Sequence, residues 1–254
     1  MPDRPSVRIS VVTAVYNNRD TVGAALDSVL GQTHDDVELV VIDGGSTDGT
    51  LDVLRDYADR IAVLVSEPDR GIYDALNKGI LRAGGEVVGF LHSDDLYADA
   101  EALWRVARAF AEDEVAAVYG DLQYVRKEAP DRVVRTWRAG QFAPGRLTRG
   151  WMPPHPTFYA RREVYAELGG FDTSYRIAAD YDCMLRILRR EGVRVGYIPH
   201  VLVKMRVGGA SNRSIGNILR KSAEDYRALK ANGVGGLPAL AWKNLRKLPQ
   251  FFAR

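Results

Sequence analysis

The sequence predicts an α/β protein whose central sheet is mostly parallel and flanked by helices. Short apolar, β-branched runs alternate with longer segments whose apolar residues recur at helical spacing, the pattern of βαβ units. Two of the runs also stop abruptly at acid. Glu38-Leu39-Val40-Val41-Ile42 meets Asp43, and Gly89-Phe90-Leu91 passes through His92-Ser93 into Asp94-Asp95. Open α/β sheets bind ligands at the carboxyl ends of their strands, so acids gathered there mark a site.

Val7 to Ala14 is the first expected strand, and Val22, Ala25, Leu26, Val29 and Leu30 place a helix after it. Val37–Ile42 is the second strand; Leu51, Leu54, Tyr57 and Ala58 mark the second helix. Ile61–Val65 reads as a third strand. Ile72, Ala75, Leu76 and Ile80 form a third helix, ended by Gly84-Gly85. Val87–Leu91 is a fourth strand, and Leu103, Val106, Ala107 and Phe110 mark the helix beyond the paired acids. Crossovers between such parallel strands are right-handed.

Beyond about Gly120 the rhythm changes. Leu122–Val125 and Val133–Trp137 read as strands, and a Gly/Pro-containing loop runs on through Pro156. Helices are expected over Arg161–Leu168, Tyr181–Glu191 and Ile215–Leu229, with a strand at Val193–Ile198. Gly233-Val234-Gly235-Gly236 then breaks the chain before a basic tail. The expected organisation is one domain over residues 1–232, divided near 120 into a ligand-binding half and a mixed α/β half. Residues 233–254 form a linker and a helical tail.

The totals narrow the function. The chain has 254 residues, 46% hydrophobic and 27% charged, as in an ordinary soluble domain. A net charge of +2 gives no argument for nucleic acid. A single cysteine, Cys183, excludes an intrachain disulfide and a thiolate metal cluster. Residues 1–10 lack the apolar core of a signal peptide, and no apolar run approaches about 18 residues. The expected location is cytoplasmic.

Thr13-Ala14-Val15-Tyr16-Asn17 closes the first strand, Asp43 the second and Asp94-Asp95 the fourth, so three strand ends aim at one crevice. A nucleotide fits there, with an aromatic ring for the base, an acid for base or ribose donors, and an acid for a metal on the phosphates. Asp43 and Asp95 also suit helix N-caps, and Asp43 to Thr50 suits a plain turn. Capping alone does not require the whole set to converge. Acids with little thiol or imidazole around them favour a hard cation.

Tyr16-Asn17, Asp43 to Thr50, Gly71-Ile72-Tyr73-Asp74-Ala75-Leu76-Asn77-Lys78-Gly79, Ser93-Asp94-Asp95, Gly169-Gly170-Phe171-Asp172 and Ala179-Asp180-Tyr181-Asp182 together resemble family 2 glycosyltransferases, in that family's order and spacing. The resemblance covers roughly residues 7 to 211. It implies a GT-A (Rossmann-like) fold, a nucleotide-sugar donor with a UDP-sugar expected, Mn²⁺ or Mg²⁺, and inversion at the anomeric carbon. It implies that Ala14, Tyr16, Asn17, Asp43 and Asp94 bind the nucleotide sugar, with Tyr16 against the base, Asp43 bonded to it and Asp94 facing the ribose. Asp95 matches the metal-binding acid; His92 stands where a further Asp is common, so Asp95 acts nearly alone. Asp180 matches the catalytic base, with Ala179 in place of the usual Glu.

A sugar hydroxyl is a poor nucleophile, so direct displacement needs a base on the acceptor side and charge neutralisation on the diphosphate side. Asp180 also suits the N-cap of its helix, and Asp182 is a structural or acceptor-side polar residue. His155, stiffened by Pro153, Pro154 and Pro156, is either an acceptor-cleft residue or an ordinary loop histidine. Gly208-Gly209-Ala210-Ser211 is either a loop closing over the diphosphate or a flexible linker. His34 and His200 read as surface or packing residues.

The tail sets apolar residues and Trp242 beside Lys243, Arg246 and Lys247, followed by Phe251-Phe252. It either lies on the inner face of an anionic membrane or packs back on the domain. The expected acceptor is a lipid-linked saccharide or glycolipid of cell-surface polysaccharide assembly. Two other functions compete. A nucleotidyltransferase would need an early Gly-rich triphosphate loop with Arg and Lys, which Ala14–Asp20 lacks. A non-catalytic carbohydrate-binding protein would have no use for Asp95 and Asp180.

Overall fold

In the computed structural model, residues 7–111, 114–208 and 215–245 are described. Strands β1 (Ile9–Val15), β2 (Val37–Asp43), β3 (Val63–Ser66) and β4 (Val87–Phe90) are the parallel part of the sheet. Helices α1 (Arg19–Leu30), α2 (Thr50–Asp56) and α3 (Ile72–Arg82) connect them. The chain lays down β1, β2 and β3 outward and then returns to place β4 on the other side of β1. The order therefore reverses at β1, and the carboxyl ends of β1 and β4 form the switch point at which open α/β sheets bind ligands.

Period-two alternation splits the strands between two cores. Val12, Ala14, Val40 and Ile42 pack with Ala75, Leu76 and Ile80 of α3. Ile9, Val11, Val15, Leu39 and Val41 pack on the other face with α1 and with α4 (Ala102–Phe110). Gly79 lets α3 cross β1 closely, because a Cβ there would lie 2.2 Å from Val12 Cγ1. Strand β5 (Leu96–Tyr97) follows the paired acids as a two-residue element that periodicity is too short to reveal.

The second half is mixed. β6 (Val115–Arg126) pairs parallel with β9 (Arg194–Arg206) and antiparallel with β7 (Ala129–Trp137) and β8 (Tyr159–Arg161). The boundary expected near Gly120 falls inside β6, so a single sheet runs through both halves, in the order β3-β2-β1-β4-β8-β6-β9-β5. The strand expected over Val193–Ile198 continues to Arg206, because pairing with β6 and β5 carries it past Pro199. The loop through Pro156 contains two short 3-10 helices, Pro144–Arg149 and His155–Thr157.

Helices α5 (Arg162–Leu168), α6 (Ala179–Leu188), α7 (Ile215–Ala231) and α8 (Leu237–Leu245) complete the fold. α6 begins two residues earlier than its periodicity suggests, with Ala178 as its cap. Asp180 and Asp182 thus lie inside its first turn, and Asp180 is not the cap. α8 is docked. Ala239 is buried, Leu240 packs on the core, and Lys243, one of the tail cations for which a membrane surface or a packed helix was expected, is only 3% exposed. The ion pair it makes with Asp225 draws it inward. Trp242 and Leu245 remain exposed, while Arg246, Lys247 and Phe251 lie outside the described residues. No helix among the described residues is long and apolar enough to cross a membrane.

Candidate active site

The end of β1 and the loop after β2 are latched together. Asn17 takes a left-handed conformation (φ 47°), which asparagine tolerates better than most residues. Its N–H donates to Ser46 Oγ at 2.8 Å, and its Oδ1 accepts from Thr47 N–H at 2.8 Å. Asp43 is fully enclosed and accepts from Ser46 N–H, Ser46 Oγ and Ser66 Oγ. A carboxylate has about four lone-pair sites, so it is close to saturation and organises this loop. Tyr16 stands open at 62% exposure beside Gly44, whose hypothetical Cβ would lie 3.4 Å from the Tyr16 ring. The Ala14 side chain is in the core, so only its backbone can face a ligand.

The acidic turn after β4 is held from two sides. Asn18 Nδ2 donates to Ser93 Oγ at 2.8 Å, and Thr21 Oγ1 donates to the Ser93 carbonyl at 3.0 Å. From β9, the Arg206 N–H donates to Asp95 Oδ1 at 3.2 Å and Arg206 Nη1 to the Asp94 carbonyl at 2.8 Å. Asp95 is 1% exposed, and its Oδ2 has no protein partner. Burial, reinforced by Asp94, pushes the Asp95 carboxyl well above the usual range. An enclosed carboxylate oxygen left without a donor fits a hard cation. Among the described residues no group of three or more His, Cys, Asp or Glu could hold a metal, so the remaining ligands would come from phosphate and water.

The opposite wall carries Asp180, near the start of α6. Tyr73 of α3 donates to the Ile177 carbonyl at 2.6 Å, and its hydroxyl lies 3.3 Å from Asp180 Oδ1. Glu224 of α7 accepts the N–H groups of Arg176, Ile177 and Ala178 at 3.1, 2.8 and 3.0 Å, fixing the loop that leads into α6. Burial would raise the Asp180 pKa, but Lys221, the Tyr181 N–H and Lys243 oppose it, with His155 adding to them only while its own ring is protonated, and the carboxyl is held below the ordinary value. Asp180 is therefore ionised at neutral pH. Asp182 is spent differently: it pairs with Arg186 at 2.9 Å and accepts from Asn232 at 2.8 Å.

Between the two acidic walls lie His92 and His155, ring centroids 5.8 Å apart. His155 stacks on Phe90 and meets Phe171 edge-on, and neither of its ring nitrogens has a protein partner. Burial drives its pKa down to about 4, so it is a neutral imidazole at physiological pH. His92 is likewise pushed down by burial, opposed by Asp94 and Asp180. His34 packs against the Val7 carbonyl and His200 is exposed. Ser211 lies outside the described residues.

Tyr73, Glu224, Asn18, Thr21 and Arg206 were not singled out by sequence reasoning. Each acts across a long sequence separation, and only Tyr73 lay within a recognised motif. Asn77 could have been suspected on the same ground. It exchanges two hydrogen bonds with the Phe171 backbone, at 2.8 and 2.7 Å, and so pins the Gly169–Asp172 turn to α3.

The whole chain superimposes on solved enzymes. A mannosyltransferase from Pyrobaculum calidifontis, in complex with GDP-Man and Mn²⁺, aligns with a TM-score of 0.67 at 23% identity, over 98% of this chain and 74% of that one. S. aureus TarS 1-349 in complex with UDP-GlcNAc aligns with a TM-score of 0.68 at 18% identity, over 96% and 71%. These likenesses establish the GT-A fold. A PGL/p-HBAD biosynthesis glycosyltransferase of Mycobacterium bovis is 34% identical over 209 residues, covering 80% of this chain and 78% of the relative. The family model for glycosyl transferase family 2 matches residues 10–192. With more than half of its length matched, the chain belongs to glycosyl transferase family 2.

Proposed function

We propose that this glycosyltransferase moves a sugar, with inversion, from a nucleotide-sugar donor to an acceptor hydroxyl, with Asp180 as general base and Asp95 as the protein ligand of a divalent cation. What supports the reading is a set of two differently tuned acids, with His92 acted on by both Asp94 and Asp180. Asp180 is ionised and can take a proton; Asp95 keeps a buried oxygen without a donor. Tyr16 lies against the nucleobase, the Asn17 and Asp43 latch shapes the base end, and Asp94 faces the ribose. His155, neutral and unpartnered, can hydrogen-bond a sugar hydroxyl. Mn²⁺ or Mg²⁺ held by Asp95 would neutralise charge on the leaving diphosphate.

Asp180 removes the acceptor proton as the oxygen attacks the anomeric carbon from the face opposite the diphosphate. One displacement inverts the configuration. The family neighbours that hold GDP-Man and UDP-GlcNAc support a nucleotide-sugar donor, with UDP-sugars the first to test. The PGL/p-HBAD relative supports a glycolipid or lipid-linked saccharide acceptor. The exposed Trp242 and Leu245 support peripheral contact with a membrane.

A thermal-shift panel of nucleoside diphosphates and nucleotide sugars, with and without Mn²⁺, tests the reading. A ligand that binds only the folded state raises stability by about 2.7 kcal/mol at a hundredfold excess over its dissociation constant. The expected outcome is a shift for one nucleotide series that requires Mn²⁺ and disappears in Asp95→Ala. A shift that persists in chelator would remove the metal from donor binding.

A further inference from the structure

We propose that the C-terminal helix α8 is a strut of the catalytic wall, and that Lys243 is a positioning residue for Asp180, acting through Tyr181 and Asp225. This rests on the reading of Asp180 as the base.

Lys243 Nζ lies 2.7 Å from Asp225 Oδ1, and both side chains are only 2% exposed. The same ammonium sits 3.3 Å from the ring centroid of Tyr181, the residue immediately after Asp180. Tyr181 is 1% exposed, so its ring is clamped between the core and this cation. α7 thus presents two neighbouring acids with complementary duties. Glu224 holds the three N–H groups that lead into α6, and Asp225 anchors the lysine beneath its first turn.

The seat of α8 is specific. Gly150, in the left-handed region at φ +68°, is packed so tightly that a Cβ would lie 2.4 Å from the Ala239 carbonyl oxygen and 2.5 Å from Lys243 N. Backbone meets backbone there, which fixes where along α8 the lysine enters the core. A buried ion pair is a poor source of stability, because desolvating both charges offsets their attraction and an apolar pair of similar volume does as well or better. The location of this pair therefore matters more than its strength. It places an ammonium against the ring of the residue that follows the base.

The charged and titratable groups acting on Asp180 come from several elements. They are Tyr73 of α3, His92 after β4, His155 of the 3-10 helix, Lys221 of α7 and Lys243 of α8. Glu224 acts on Tyr73 from α7. Removing Lys243 subtracts one of the two lysine charges that favour the carboxylate, so Asp180 should titrate at higher pH. Its acid limb in turnover should move the same way. A lysine that merely held the helix in place would leave both unmoved while lowering stability.

The test uses the full chain. The carboxyl ¹³C resonance of Asp180, assigned by its loss in Asp180→Asn, is titrated in wild type, Lys243→Met and Lys243→Arg. Turnover is followed as Mn²⁺-dependent hydrolysis of the nucleotide sugar that the thermal-shift panel selects, with water as acceptor. The expected result for Lys243→Met is titration of Asp180 at higher pH and turnover lower by about tenfold, with donor KM essentially unchanged. Lys243→Arg should restore both. If Lys243→Met fails to fold, the double variant Lys243→Met/Asp225→Leu removes both charges and carries the same readouts. Wild-type titration and turnover in a folded charge-free variant, with turnover lost in Asp180→Asn, overturns the positioning role alone. Wild-type turnover in Asp180→Asn overturns the base and the positioning role together.

Discussion

The Tyr73 hydroxyl sits between two parts of the loop–helix junction it supports, 2.6 Å from the Ile177 carbonyl oxygen and 3.3 Å from Asp180 Oδ1. A residue of α3 thereby fixes the backbone and meets the side chain of an acid more than a hundred positions later. Phe171 stacks on the same ring at 5.6 Å, so the phenol cannot swing away freely.

Tyr73→Phe should cost both stability and turnover. The Ile177 carbonyl loses its donor, and leaving such a group unsatisfied costs about 1–3 kcal/mol. Denaturant unfolding should show that loss, with a fall in kcat and little change in donor KM. A variant as stable as wild type would mean that water replaces the phenol.

Asp180→Asn keeps the shape of the side chain but cannot accept a proton at neutral pH. Turnover should fall by about 10²–10⁴-fold while donor affinity holds. Asp182→Asn should behave differently, because it breaks a largely buried pair with Arg186. Its loss should appear chiefly as stability, about 3–5 kcal/mol in denaturant melts. Turnover that is abolished by Asp182→Asn and kept within a few fold by Asp180→Asn would reverse the two roles.

His155 makes stability depend on pH. Its folded pKa, lowered by burial to about 4, lies below the ordinary value of 6.5, so the unfolded chain binds the proton more readily. The contribution is complete above pH 6.5 and is lost as pH falls toward 4, amounting to roughly 3 kcal/mol across that window. His155→Phe should flatten this part of the stability–pH curve. An unchanged slope in that variant would assign the dependence to other groups.

Asp43→Ala should raise donor KM more than it lowers kcat. On the proposed reading it shapes the base end in ground and transition states alike, through the hydrogen bonds it accepts from Ser46 and Ser66. Steady-state kinetics with the selected nucleotide sugar checks this. A large kcat loss at unchanged KM would place Asp43 nearer the chemistry than its position at the end of β2 suggests.

The sequence by itself determined the parallel half of the sheet and the acids at its edge. Those signals are local: β-branched runs, helical periodicity, and carboxylates where strands stop. β1, β2, β4 and α3 were legible because each buries its own apolar pattern, and Asp43, Asp94, Asp95 and Asp180 because each sits in a short motif. The tertiary structure alone decided what surrounds them. Glu224 reaches the Ile177 N–H, Arg206 reaches Asp95, and Lys243 enters beneath Tyr181 across separations that no periodicity records. The tail shows the reason most plainly. Its basic, aromatic pattern suits a membrane surface as well as a packed helix, and only the buried carboxylate of Asp225 and the close approach at Gly150 decide that Lys243 turns inward.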